Sequence, residues 1–567
     1  MKSHWKTWLI VMLAVVFTMT FAFTVRADRA DTLVTTGAIW APPSNWNPLY
    51  FAPEPGTVGL AYEPLFHYNA IEGEYIPWLA AEEGAWIEDD VFHVELRAEP
   101  EWHDGQTLTA QDVVFTFELA EEYNLEYTYL WNYLEEVTAL NDREVEFHFD
   151  TPNYQEWKQV LYEIPIIPEH IFSEIPEEDL QTISDLSEFA GQEVVGSGPY
   201  TYDDATPDRM IWQRVDNWWG NEVHGEPAPR FIEILVTDAN HIVLGMVLQE
   251  QIDLSNNFLP GTPSIAENPG YNITTYYDGP PYHVPDNTAM LFFNTQEKGL
   301  DDADFRRAVS FAINPEEIVE RAYEHTVEKA DPTGLFGGWL DYRSEDAVDE
   351  YGFEYDPDTA VTKLEEAGYT DTTGDGWRNH PDGDDLSYQI EVPAGWSDWE
   401  DSVRIIAEQL RDIGLNVEPN FVDFSIYEDN MLTANFDMLI NNFTTGKSGT
   451  PYTYWDGVAS DQIYDEQATQ GNYGRYENEE LFEYIDLFNR MPDGEAAAYR
   501  VAEDIQEILL QDMPSVPLWY NGAWAVMSEV YWTNWPTEHN PTGFPLSWGG
   551  DWQLGTVQML LELEPIE

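Results

Sequence analysis

Cysteine is absent from all 567 residues. That excludes disulfides, thiol catalysis, cysteine-based metal sites and a lipid carried on an N-terminal cysteine. Cations are scarce: 24 Lys and Arg stand against 106 Asp and Glu, a formal net charge of −82 at pH 7. Such a surface repels nucleic acid and anionic lipid head groups, so neither is expected as a partner. Also missing are a fixed-period repeat, a G-x-S-x-G or H-E-x-x-H motif, and any metal-ligand grouping of the histidines. Solenoids, nucleophile-elbow hydrolases and zinc proteases are disfavoured accordingly. The acid is scattered (EEDL, EDD, NEELFEY) through a chain that is 43% hydrophobic, with 23 Trp and 32 Tyr. This pattern describes a folded protein with a carboxylate-coated surface, and adaptation to high salt is the favoured explanation.

The first residues have the parts of a secretory signal. Lys2 and Lys6 precede an apolar run from Trp8 to Val25, and Val25-Arg26-Ala27 offers a cleavage site after Ala27. A retained N-terminal anchor is the alternative, because the run approaches spanning length. With residues 1–27 removed, the chain is expected to be a soluble, extracytoplasmic monomer. Its length implies two to four domains.

Helical and strand signals alternate, which implies an α/β chain with mixed sheets. Thr109 to Asp112 supplies N-cap chemistry, Asp356-Pro357 a cap and first-turn proline, and Gly368 a stop. Strand-like runs include VFHVELRA, EVEFHFD, FIEILVT, MLFFNT, LSYQIEV and FDMLIN. The stretch VPAGWSDWE sets Trp396 and Trp399 at a strand-to-helix junction, and Ser397 with Glu400 reads as a capping box. Aromatic faces there either close a core or line a cleft outside the carboxyl ends of strands.

Taken in order, YEPLF, YIPWLA, VFHVELRAEPEWHDGQTLTAQDVVFTFE, VVGSGPYTYDD, DNWWG, DADFRRAVSFAINPEEIV, YDPDTAVTKLEEAGYTDTTGDGW and IAEQLRDIGLNVE resemble the large family 5 solute-binding proteins of ABC importers. That family includes oligopeptide-, dipeptide-, nickel- and some oligosaccharide-binding members. The resemblance implies a two-lobed α/β clamp with mixed sheets and an extra peripheral subdomain, partnered by a membrane permease and catalysing nothing. Mapped here, lobe I covers about 28–283, with its subdomain near 62–190. Lobe II covers about 284–495, and 496–567 returns to lobe I. The individual motifs also have physical readings. WHDG is a turn, Trp218 and Trp219 belong to the core or the cleft with the core favoured, and Phe305, Val309 and Ala312 share a buried helical face with Arg306 and Arg307 outside.

Peptide-binding members carry an aspartate for the ligand's amino group after the strand that FDMLI matches. Here Thr444, Thr445 and Gly446 stand in its place, and Asp456 comes late. VPAGWSDWE, TPYTYW and WAPPSNWNPLYFAP resemble instead the oligosaccharide branch, including binders of β-linked glucose oligomers. Sugar rings stack on indoles while amides and hydroxyls hold their hydroxyl groups. The expected ligand residues are therefore Trp40, Trp46, Asn47, Trp396, Asp398, Trp399, Asn441, Asn442 and Thr444. Asp398 has a second reading, at the positive end of its helix. A peptide is the alternative ligand. A secreted glycoside hydrolase is the rival class, although close carboxylate pairs arise by chance among so many acids. No cofactor is required, but Asp371, Thr373, Asp375, Trp377, Asn379 and Asp382 follow EF-hand spacing and suggest a structural Ca²⁺ loop, with an ion-free acidic turn as the alternative.

The acidity carries its own test. Screening should relieve self-repulsion, so the melting temperature should climb from dilute buffer to molar chloride. A melting temperature indifferent to salt would contradict the halophilic reading.

Overall fold

The computed structural model describes residues 29–566, apart from 51–52, 124, 177–179, 181–194, 238, 443–447, 465–466, 469–470, 493, 549 and 551. The expected leader and Thr444 lie outside the described residues. Two large mixed sheets organise the rest. The first has seven strands in the order Ile273–Thr275, Val526–Ser528, Leu254–Ser255, Thr32–Ile39, Phe231–Val236, Arg209–Arg214, Tyr200–Thr206. The second has six, in the order Glu328–Lys329, Ser515–Gly522, Pro285–Phe293, Met438–Asn441, Tyr388–Pro393, Val417–Val422. Each builds its own lobe around its own buried apolar core. Thr32–Ile39 is buried along its whole length and pairs in parallel with both neighbours, as a central strand covered on both faces must be.

A four-stranded antiparallel sheet, Ala85–Glu88, Val91–Glu95, Glu144–Phe149 and Leu134–Asn141, forms a peripheral unit on the first lobe. The helix Ala110–Tyr123 packs on it, and Asp112 accepts from the backbone N–H (2.8 Å) and hydroxyl (3.2 Å) of Thr109. WHDG and GSGPY meet where His103 N donates to Gly196 O at 2.8 Å. A Cβ on Gly196 or Gly198 would fall 1.9 or 2.1 Å from the carbonyl oxygens of Ala61 and Leu60, so no side chain fits at either position. The WW pair is also explained. The indole nitrogens of Trp78, Trp218 and Trp219 donate to the fully buried Glu63 at 2.8, 3.2 and 2.9 Å. Without such donors a buried carboxylate costs several kcal/mol. Burial nevertheless dominates and pushes the Glu63 carboxyl up to about 7.

The chain leaves the first sheet at Thr275 and enters the second at Pro285. The return differs from the expected position at residue 496. The helix Ala496–Asp512 packs on Glu479–Asn489, Glu345–Tyr351 and Ala303–Ala312, and Ser515–Gly522 is a strand of the second sheet. Only Ala523 to Ala525 carries the chain back, to Val526–Ser528. The proline-rich DMPSVPLW therefore lies inside the second lobe. Pro517 is accommodated at a register irregularity against Ala289 and Met290, where a strand tolerates proline. Arg306 is likewise not outside. It is buried, and its guanidinium donates to the carbonyls of Leu300 (2.8 Å) and Asp512 (2.6 Å), tying its own helix to the end of Ala496–Asp512.

Because the folded state holds a proton on Glu63, its contribution is full below about pH 4.5 and is lost as the pH passes about 7. Glu63→Gln, which needs no proton, should therefore show a flatter fall in stability between pH 5 and pH 8. Urea midpoints at those two values test this, and parallel falls in both proteins would contradict it.

Candidate ligand-binding cleft

Four strands of the two sheets end on one cavity of about 760 Å³ between the lobes. Trp40 follows Thr32–Ile39, Asn256 and Asn257 follow Leu254–Ser255, Trp396 follows Tyr388–Pro393, and Asn441 with Asn442 closes Met438–Asn441. Each sits at a carboxyl end, where open sheets leave their crevices. The cavity falls in the range of small-molecule sites, roughly 300–1,000 Å³.

Trp40 from the first lobe meets Trp396 from the second with ring centroids 5.3 Å apart and planes at 45°. Phe424 stacks on Trp396 at 5.8 Å, and Trp399 meets Trp396 edge-on at 4.9 Å. The two facing indoles touch each other and so offer one combined surface with no gap between them. Trp396 is half-buried, whereas Trp399 is 3% exposed and belongs to the core of the second lobe. The helix begins at Ser397, and Glu400 accepts from Gly395 N at 2.8 Å. The expected capping box at Ser397 is thus displaced by one residue, with Trp396 at the cap position.

Asn441 and Asn442 line the cavity. The Asn441 amide nitrogen lies 2.9 Å from Met431 Sδ. Asp398 lines it too, but is buried and held by Asn240 Nδ2 at 2.9 Å and the Tyr323 hydroxyl at 3.4 Å. Burial pushes its carboxyl up to about 7. Since Asn240 belongs to the first lobe, Asp398 is part of a contact between lobes. Two expected residues are elsewhere. Trp46 is 8% exposed and packs on Tyr202 at 4.7 Å, inside the first core. Asn47 is 1% exposed, donating to Leu180 O and accepting from Leu49 N. Both lie in the loop after Trp40, where the chain turns inward and takes its second tryptophan with it.

Several lining residues went unnoticed in the sequence: Asn257, Asn287, Tyr129, Tyr452, Asn521 and Trp548. The Asn257 and Asn287 amide oxygens, one in each lobe, are buried without a donor among the described residues. The signal for Asn257 was an Asn-Asn pair closing an apolar strand, the same pattern as Asn441-Asn442. Among the described lining residues there is no Lys, Arg or His, while Glu54, Glu156, Glu163, Asp398, Glu428 and Asp456 are all present.

The lobes are further bonded away from the crossings. Gln155 Nε2 donates to Met491 O at 2.6 Å, Thr450 Oγ1 donates to Gln155 Oε1 at 2.8 Å, and Glu156 N donates to Asn489 Oδ1 at 2.9 Å. Gly261 N donates to Glu324 Oε1 at 3.1 Å.

In the acidic loop, most of the side chains expected to hold calcium bond within the loop itself. Asp371 accepts from Gly374 N and Gly376 N, and Asp375 from Trp377 N. Asn379 is buried and accepts from Thr372. Asp382 is paired with Lys298, which holds its carboxyl well below the usual carboxylate range. The three aspartates do not gather within 4.8 Å of one another.

A profile of the bacterial extracellular solute-binding proteins, family 5 (middle region), matches residues 74–465. The chain is similar to the oligopeptide-binding protein AppA of Bacillus subtilis, 26% identical over 445 residues covering 77% of either chain. It is also similar to the nickel-binding periplasmic protein of Escherichia coli, at 23% identity, with 79% of this chain and 82% of that one covered. Among solved structures it is similar to a mannohexaose-bound periplasmic oligopeptide-binding protein from Thermotoga maritima. That match has 42% identity and a TM-score of 0.89, and covers 95% of this chain and 99% of the other.

The contrast between the early tryptophans is measurable. Trp46→Ala should lower the unfolding free energy by about 3–5 kcal/mol, as removal of a core indole does. Chemical denaturation reads this directly, and a loss below about 1 kcal/mol would remove Trp46 from the core.

Proposed function

The chain belongs to the bacterial extracellular solute-binding proteins of family 5, and on that premise we propose that its cleft takes an oligosaccharide and hands it to the permease of an ABC importer. Members of this family are solute-binding receptors, not enzymes, and this chain is a receptor of that kind. The observation that carries the oligosaccharide reading is the joined indole surface of Trp40 and Trp396, one from each lobe. Pyranose rings offer apolar C–H faces to such a surface. The donor-free amide oxygens of Asn257 and Asn287 suit a ligand rich in hydroxyl donors. The mannohexaose held by the Thermotoga relative supports the same class. A β-linked glucose oligomer or a mannose oligomer is the expected solute.

A peptide is the second reading, favoured by the oligopeptide-binding relatives. It is opposed by the lack, among the described lining residues, of any cation to meet a peptide carboxylate. We assign the receptor to the outside of the cytoplasmic membrane. No helix among the described residues is long and apolar enough to cross one.

Calorimetry with glucose and mannose hexamers and with oligopeptides tests the reading. A hexaose should bind saturably without turnover. Trp396→Ala should weaken binding about tenfold or more, a loss of about 1.4 kcal/mol, at a smaller cost in stability than Trp46→Ala. Peptide binding without sugar binding would overturn the reading.

A further inference from the structure

Glu156 lies on the helix Tyr154–Glu163 of the first lobe and Asp456 on the helix Tyr452–Ala459 of the second, and both line the cavity. Gln155 bonds to Thr450, just before the second of these helices, and to Met491, and Glu156 N bonds to Asn489 at the end of the neighbouring helix Glu479–Asn489, so Tyr154–Glu163 is held against the second lobe when the lobes are closed. Closure therefore brings two carboxylates into one cavity. Glu156 accepts from Asn153 at 3.2 Å, whereas the Asp456 carboxylate has no hydrogen-bond donor among the described residues. The two charges repel, and Asp461 and Asp486 add to the repulsion. No described lining residue is cationic.

Taking like charges out of water together is costly unless a cation or a proton accompanies them. A sugar hydroxyl would satisfy one oxygen of Asp456 and leave the repulsion untouched. A primary ammonium would do both. Tyr129 and Tyr452, which line the same part of the cavity, add the aromatic surface that cations favour.

We propose that this end of the cleft, between Glu156 and Asp456, receives the ammonium group of an amino sugar within the bound oligosaccharide. The proposal rests on the oligosaccharide reading above and narrows its substrate class: the preferred solute carries a free amine at the ring that reaches these two helices.

The experiment compares three tetramers of the same linkage, built from glucose, glucosamine and N-acetylglucosamine, by calorimetry in molar salt on the full-length secreted protein. The glucosamine tetramer should bind at least about tenfold tighter than the glucose tetramer, as expected for a charge-assisted bond, and N-acetylation should erase the gain. Asp456→Asn should bring the ratio of the two affinities near one, the glucosamine tetramer losing far more affinity than the glucose tetramer. Glu156→Gln, which keeps its acceptor for Asn153, should reduce the same ratio, and thermal melts confirm that both variants fold. A ratio near one in the unmodified protein, or a preference surviving in both variants, overturns the proposal. If no sugar binds but an oligopeptide binds and loses affinity in Asp456→Asn, the oligosaccharide reading fails and the carboxylates serve a peptide amine. Glucose binding with no amine preference leaves that reading standing and removes only this proposal.

Discussion

The two lobes communicate through one pair of chain crossings that are bonded to each other. The outgoing and returning strands pair side by side, Pro285 opposite Gly522 and Asn287 opposite Asn521. Beyond them Ala523 N donates to Val284 O at 2.7 Å and Ala525 N to His283 Nδ1 at 3.3 Å, with the His283 ring edge-on to Trp524 at 5.1 Å. Burial pulls the His283 imidazole down to about 3, so it remains neutral and can accept that bond. Asn256 fastens the same point, donating to Trp524 O and Pro545 O. Because the crossings form one narrow ribbon, relative motion of the lobes is confined to bending and twisting about it. The contacts of Gln155 with Thr450 and Met491, of Glu156 with Asn489 and of Gly261 with Glu324 involve no strand of either sheet.

That constraint explains why the site is where it is. The parallel strands of both sheets present their carboxyl ends to the gap beside the ribbon, and side chains just past those ends have nowhere to go but into it. Trp40 and Trp396 are such residues, as are the two asparagine pairs. The same geometry collects acid in the gap. A chain so poor in cations cannot pair every carboxylate that folding buries, so Glu63, Asp398 and Asp456 are all pushed up to about 7, chiefly by burial. Glu63 has its indoles and Asp398 has Asn240 and Tyr323. Asp456 has neither kind of relief.

Much of this was legible in the sequence, for identifiable reasons. Motif order disclosed the family, and alternation with capping chemistry disclosed the α/β lobes. Trp396 was placed at the cleft because a strand visibly ended before it. The errors share a cause: a local signal with two readings that only packing resolves. The prolines of DMPSVPLW are as compatible with a hinge as with a strand when met in sequence, yet Pro517 sits at a strand irregularity that proline tolerates. Trp46 resembles Trp40 in composition and neighbourhood, and only the inward turn of the loop separates them. Arg306 reads as a surface cation on an amphipathic helix, but the carbonyls of Leu300 and Asp512 lie within reach of its guanidinium. Asn287 and Asn521 carry no marker in sequence, because they owe their position to pairing between strands more than two hundred residues apart.

The contacts of Gln155 bear on kinetics as well as on shape. Its amide is wholly buried and bonds a main-chain carbonyl and a hydroxyl of the opposite lobe, independently of anything lying in the cleft. A solute enclosed behind such a fastening cannot leave by loosening its own contacts. It must wait for the fastening to open. Residence times should then converge across solutes of different affinity, with discrimination expressed in how often an encounter leads to closure. A receptor built this way hands its transporter a cargo whose dwell time is a property of the protein.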